Sequence, residues 1–128
     1  MIKIIKYNER DPFKKDFKKL KKRFKTLDED FRISKTNAIE LFHLHGVNNE
    51  GVVLIPGFES EKFKIYKMLK FACKSLKGRG VKSGVRVIYA YCLESESVNF
   101  IEMCFKGDKE KEDKDRITSF LEDPGPLD

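Results

Sequence analysis

Three runs of alternating side chains, FKIYKMLKFACK (63–74), VRVIYAYCL (85–93) and VNFIEMCFK (98–106), constrain this chain more than any other feature. A repeat of two residues is the signature of a strand, because successive side chains leave a pleated backbone on opposite sides. The connections SLKGRGVKSG (75–84) and LESES (93–97) are short enough to demand hairpins. The three runs therefore predict an antiparallel meander. In the first run Phe63, Ile65, Leu69, Phe71 and Cys73 oppose Lys62, Lys64, Tyr66, Lys70 and Lys74, which predicts one packed face and one cationic face. Lys67 and Met68 break the alternation, and a bulge is expected there. The run 85–93 is apolar on both faces, as a central strand should be.

The flanking segments supply helices to cover such a sheet. MIKIIKY (1–7) alternates and reads as a short strand, with Ile2 and Ile4 inward. Asp11-Pro12 offers a cap and a proline in the first helical turn. Phe13, Phe17, Leu20 and Phe24 then recur at helical spacing, while Lys14, Lys15, Lys18, Lys19, Lys21, Lys22 and Arg23 fill the other faces, opposed by Asp16 alone. Thr26 and Glu29 fit a capping box for a second helix that carries Leu27, Phe31, Ala38, Leu41 and Phe42 towards a stop at Gly46. SKTN (34–37) is expected to bend or interrupt it. The two helices form an αα-hairpin. The apolar middle of 47–61, Val52 to Ile55, fits either an edge strand or a loop laid over the sheet, ended by Pro56-Gly57. Asp108 is expected to cap a last helix, docked by Ile117, Phe120 and Leu121, with a frayed tail from 122 to 128. The expected fold is α+β: an N-terminal strand and αα-hairpin packed on a twisted antiparallel sheet, with a C-terminal helix. Phe13, Phe17, Leu20, Phe24, Phe31, Leu41, Ile65, Phe71, Val87 and Ile88 are the expected core.

A chain of 128 residues holds one such core, so 1–128 reads as a single domain. Its charge is uneven. Nine Lys or Arg and no acid lie within 62–86, and the net charge is +6. Like charges so crowded favour a polyanionic partner. Cys73, Cys92 and Cys104 fall inside the strand runs without CxxC spacing, which argues against zinc and suits a reducing cytoplasm. MIKIIKYNERD is too short and too charged for a signal peptide, and no apolar run is long enough to span a membrane. His43 and His45, two apart on a helix, point in different directions. They read as helix-end residues meeting terminal carbonyls and not as a metal pair.

No phosphate-loop, zinc-protease or nucleophile-elbow motif is present. What remains is Lys and Arg around a sheet, with Tyr66, Tyr89 and Tyr91 nearby. Cations can orient and neutralise a scissile phosphate, and a lysine crowded by other cations has a lowered pKa suited to proton transfer. The same residues serve equally as the solvated face of a passive nucleic-acid-binding module, which from residue types alone is the simpler reading.

The order of elements, with KSLKGRGVKSGVRVIYAY (74–91) followed by FIEMCFKGDKEKED (100–113), resembles the RelE/ParE superfamily of toxin–antitoxin toxins. The strand SGVRVIY (83–89) carries the strongest likeness, and the helix FKKDFKKLKKRF (13–24) is also typical. The resemblance implies a small α+β toxin restrained by a small acidic antitoxin. RelE-like members cut mRNA on the ribosome by 2′-OH attack, without metal or other cofactor, whereas ParE-like members inhibit gyrase. It implies contact with ribosome and mRNA, none with membrane, and contact with DNA only through the antitoxin complex. By position, Arg86 matches the strand arginine that contacts the scissile phosphate, and Lys106 and Lys109 match basic positions after the final strand. Lys74, Lys77 and Arg79 fall in the region of the family's upstream catalytic basic residues. The resemblance thus makes Arg86, Lys77, Arg79 and Lys109 the catalytic candidates, with Lys70, Lys74, Lys82 and Lys106 as the RNA-binding ones. Where active relatives place a Tyr or a His-Tyr pair near the C-terminus, this chain has Glu112 and Asp113, and Val85 stands in place of the usual aromatic. The resemblance thus implies either that lysines carry both proton roles or that this member cuts weakly or not at all. The alternative is a non-catalytic relative that binds gyrase, RNA or an acidic protein.

Overall fold

In the computed structural model, which describes residues 4–47, 51–69, 71–76, 78, 83–109 and 111–125, the chain is an α+β domain built on one five-stranded mixed sheet. Strands β1 (Lys6–Glu9), β2 (Val52–Leu54), β3 (Phe63–Met68), β4 (Val85–Cys92) and β5 (Ser97–Phe105) lie in the order β1-β5-β4-β3-β2. The meander β3-β4-β5 is antiparallel as expected, and β2 is an edge strand. The sheet is not wholly antiparallel, because β1 runs parallel to β5, Lys6 opposite Ser97 through Glu9 opposite Phe100. The helices that follow β1 carry the chain across the sheet to β2 at the opposite edge.

Helix α1 (Asp11–Arg23) buries Phe13 and Leu20 and ends at the buried Phe24. A tight turn leads to α2 (Leu27–Ser34), which continues through a π-helical stretch (Lys35–Glu40) into α3 (Leu41–His45). The interruption expected at 34–37 is this π stretch, and it wraps over β1, where the Tyr7 hydroxyl donates to Glu40 at 2.8 Å. Gly46 ends the arm at φ +66°, in the left-handed conformation that glycine adopts without a steric penalty. The capping box does not form. Thr26 donates its hydroxyl to Asp30 at 2.6 Å and exchanges bonds with Ser75, while Glu29 pairs with Lys74 at 3.3 Å.

Both faces of the sheet are covered, so the expected cationic face of the first run is absent. On the helical side Tyr66, Met68, Val85, Val87, Tyr89 and Phe100 join Phe13, Phe31 and Ile39 in the larger core. Phe100 is its hub, with ring centroids 5.1 Å from Phe13, 4.9 Å from Phe31 and 5.6 Å from Tyr7. On the other side Phe63, Ile65, Ile88, Ala90 and Ile101 form a second core under α4 (Lys114–Glu122), which contributes Ile117 and Phe120. Each face thus takes alternate members of β3, Tyr66 and Met68 on one side and Phe63 and Ile65 on the other, and a period-two pattern cannot say whether the second face will be covered.

Other expectations shift by a few residues. The first run ends as a strand at Met68, and β3 pairs regularly throughout. The bulge lies instead in β5. Ile88 opposes Glu102 while Tyr89 opposes Phe100, leaving Ile101 as the extra residue. Ile5 is buried and Ile4 exposed, the reverse of the inward Ile4 expected, and Ile2 lies outside the described residues. Asp113, not Asp108, caps α4, accepting from the Arg116 backbone N–H at 3.1 Å. Of the expected core, Phe17 and Leu41 are half-buried and the rest are buried. The segment 123–125 is tied back, with the Arg10 guanidinium donating to the carbonyls of Pro124 at 2.5 Å and Asp123 at 3.1 Å. Residues 126–128 of the expected tail lie outside the described residues. No helix among the described residues is long and apolar enough to cross a membrane.

Two substitutions test this packing. Phe13→Ala, which empties the centre of the aromatic cluster, should cost about 3–5 kcal/mol in urea unfolding. Asp113→Ala should cost only about 1 kcal/mol, through loss of the cap.

Candidate nucleic-acid interface

Two surfaces each bring several of the described cations together. The first is the outer face of α1. Its apolar stripe faces the sheet, so Lys14, Lys15, Lys18, Lys19, Lys21, Lys22 and Arg23, with Lys25 beyond, are all exposed. Lys18, Lys21, Lys22 and Lys25 wall a shallow depression of about 260 Å³. Those four positions recur at three- and four-residue spacing, which stacks them on one side of the helix. Lys21 is paired with Asp28, and Arg23 with Asp108.

The second surface lies on the α4 side of the sheet, where β4 and β5 leave the second core. Val85 and Val87 point into the helical layer, so Arg86 between them points the opposite way, half-exposed, opposite Cys104 in register. Lys67, Arg86 and Lys109 are all close enough to act on the Cys104 thiol. Glu102, which the bulge turns towards this side and which is 3 % exposed, accepts from Lys109 Nζ at 2.6 Å and from the Asp113 backbone N–H at 2.9 Å. Lys67 pairs with Glu112 at 2.7 Å, and Arg116 with Asp16 at 2.5 Å. Each of these neighbours has a carboxylate partner. Arg86 has none among the described residues.

The protonation of this cluster limits its chemistry. Burial pulls the Lys109 ammonium down, but the hydrogen bond and charge of Glu102, with Asp113, outweigh it and hold the group above the ordinary lysine range. That is opposite to the shift of a lysine crowded by cations. Lys109 therefore stays charged, suited to neutralising a phosphate and unsuited to acting as a base. Burial, with Glu102 adding, pushes the Cys104 thiol up to about 11 against the pull of Lys109, Arg86 and Lys67, so it is a neutral thiol at pH 7.

The sequence-derived candidates are dispersed by this fold. Arg86, Lys106 and Lys109 are brought to one end of the sheet, where the Lys106 backbone N–H donates to the Gly84 carbonyl at 2.9 Å. Lys74 is elsewhere, on the helical side beside Glu29 and Asp30, and does not meet Arg86. Lys70, Lys77, Arg79 and Lys82 lie outside the described residues. Sequence reasoning missed Glu102, Glu112, Arg116 and Lys67. The one available signal was Glu102 itself, an acid between Ile101 and Met103 in an otherwise apolar strand.

His43 is also placed differently from expectation. It does not meet helix-end carbonyls but shares a 2.8 Å hydrogen bond with the Tyr89 hydroxyl and stacks on Tyr91 at 4.0 Å. Tyr66 closes the group at 4.9 Å. No cluster of potential metal ligands occurs among the described residues.

Between α1 and the outer edge of β5 lies a cleft of about 430 Å³, floored by Leu20, Met103, Cys104 and Phe105. Lys19, Arg23, Lys109 and Arg116 line it together with Asp16, Glu102 and Asp108. Comparison of the chain with protein-family models, curated proteins and solved structures gave no match.

Burial pushes the His43 imidazole from 6.5 down to about 4, so the folded protein holds it neutral while the unfolded chain protonates it first. Its contribution to stability is full above about pH 6.5 and should be lost as the pH falls towards 4. Urea unfolding across that range should show a steeper loss for the native chain than for His43→Phe, which keeps the ring stack and cannot titrate. Parallel curves would contradict the assignment.

Proposed function

We propose that this chain is a RelE-like toxin that acts on RNA, engaging the backbone through the lysine face of α1 and the phosphate at the site of cleavage through Arg86. One observation carries the reading. Arg86 is a half-exposed residue without a carboxylate partner among the described residues, on a face where Lys67, Lys109 and Arg116 each have one. A cation left without a carboxylate among paired neighbours remains open to an external anion. The planar fork of arginine fits two phosphate oxygens at once. The arrangement of an N-terminal strand, a helical hairpin, a three-stranded meander and a closing helix agrees with the resemblance read from SGVRVIY (83–89). In this reading the natural substrate is mRNA on the ribosome and the restraining partner is a small acidic antitoxin. Three buried free cysteines accord with a reducing cytoplasm.

A second reading, binding without cutting, is favoured by the state of Lys109 and Cys104. Neither can take a proton from a ribose hydroxyl near pH 7, and no tyrosine or histidine follows Tyr91.

Primer extension on cellular mRNA after induced expression separates the two. Codon-phased cuts support the toxin nuclease, and growth arrest without cuts supports the binding module. If the chain cuts, Arg86→Ala should lose about two to three decades in cleavage rate, the usual cost of one preorganised contact. Arg86→Lys should recover little, because it restores charge without the fork. Lys18→Ala, on the outer face of α1, should weaken RNA binding slightly and leave the cleavage step alone. Equal small effects of Arg86→Ala and Lys18→Ala on folded protein would remove Arg86 from the chemistry.

A further inference from the structure

The cleft between α1 and β5 differs in kind from the lysine face beside it. Its floor is apolar, made by Leu20, Met103, Cys104 and Phe105, and its volume of about 430 Å³ is that of a small-ligand site. Its cations are mostly spoken for: Arg23 is paired with Asp108, Lys109 with Glu102 and Arg116 with Asp16. Lys19 has no carboxylate partner among the described residues, so the lining carries four cations against three carboxylates. A surface for a run of phosphates needs a run of free cations, as α1 presents outwards. A pocket with an apolar floor and one excess positive charge fits a flat apolar body bearing one negative charge. A single nucleotide of an RNA chain has that form: a base for the floor and one phosphodiester for the rim.

We infer that this cleft is a nucleotide subsite, holding the base of one RNA residue against Leu20, Met103 and Phe105 with its phosphate at Lys19. The inference rests on the RNA reading above and adds to it the place where a base is held. Continuity supports the assignment. Cys104 lines the cleft and is the register partner of Arg86, so a nucleotide seated there lies next to the phosphate that Arg86 holds. Phe105 is fixed in the wall by its edge contact with Phe24 at 5.2 Å and by the Arg23 guanidinium 5.4 Å from its ring. Fixed aromatic and aliphatic walls accept any base, because every base has a π face.

The test is an amide-resolved NMR titration of the full chain with cytidine and adenosine 5′-monophosphates, and separately with inorganic phosphate. The nucleotides should move the amides of Leu20, Met103, Cys104 and Phe105, while phosphate should move only the α1 lysines. Lys19→Glu should weaken nucleotide binding about tenfold, on the scale of one lost contact. Lys62→Glu, the same charge change at an exposed site at the far end of β3, should leave it unchanged. Phosphate reproducing the nucleotide shifts would reduce the cleft to an adventitious anion site and overturn the inference. So would shifts confined to α1, or equal losses in the two variants. Nucleotide binding at the cleft in a chain that cuts no mRNA would support the subsite and sink the nuclease reading. Cleavage that depends on Arg86, with no nucleotide shifts at the cleft, would do the reverse.

Discussion

The constraint on which this structure turns is the outer edge of β5. Strand β1 covers it as far as Phe100, and the strand runs on to Phe105. Backbone groups on a half-covered edge need partners, or they invite another chain to supply them. Asp16 and Arg116 provide them. The Asp16 carboxylate accepts from the Met103 backbone N–H at 3.1 Å and from Arg116 at 2.5 Å, while Arg116 also donates to the Ile101 carbonyl at 3.2 Å. One ion pair thereby fastens α1, β5 and α4 together. Both residues also line the cleft between α1 and this edge.

The bulge in β5 acts on the same region. By inserting Ile101 it places that residue in the second core and turns Glu102 towards the same side. The buried carboxylate then needs donors, and Lys109 and the Asp113 backbone meet it. The turn after β5 is thus drawn down onto the sheet, and the start of α4 is fixed. Arg86 sits at the border of this neutralised network without a carboxylate of its own among the described residues. Its availability to an anion depends on the other cations having found theirs.

Much of the fold was legible because it follows from local periodicity. Alternation located β3, β4 and β5, and the spacing of Phe13, Leu20 and Phe24 located α1. Boundaries were less legible where a side chain had a better partner elsewhere. Thr26 bonds Ser75 instead of closing a capping box, and Asp113 displaces Asp108 as the cap of α4. The site was legible only as a set of residue types. That Arg86 joins Lys109 and not Lys74 is a matter of which face each occupies, and the lysine count in 62–86 carries no such information.

The sequence by itself determined an α+β chain with a three-stranded meander, a basic amphipathic first helix and a surplus of positive charge. Those properties depend on residues near one another along the chain, where steric periodicity and charge act directly. Only the tertiary structure decided that β1 lies parallel to β5, that both faces of the sheet are covered, and that Glu102 is buried. It alone decided which cations are neutralised. Asp16 and Arg116 are a hundred residues apart, and their pairing exists because α1 and α4 meet across the same strand edge.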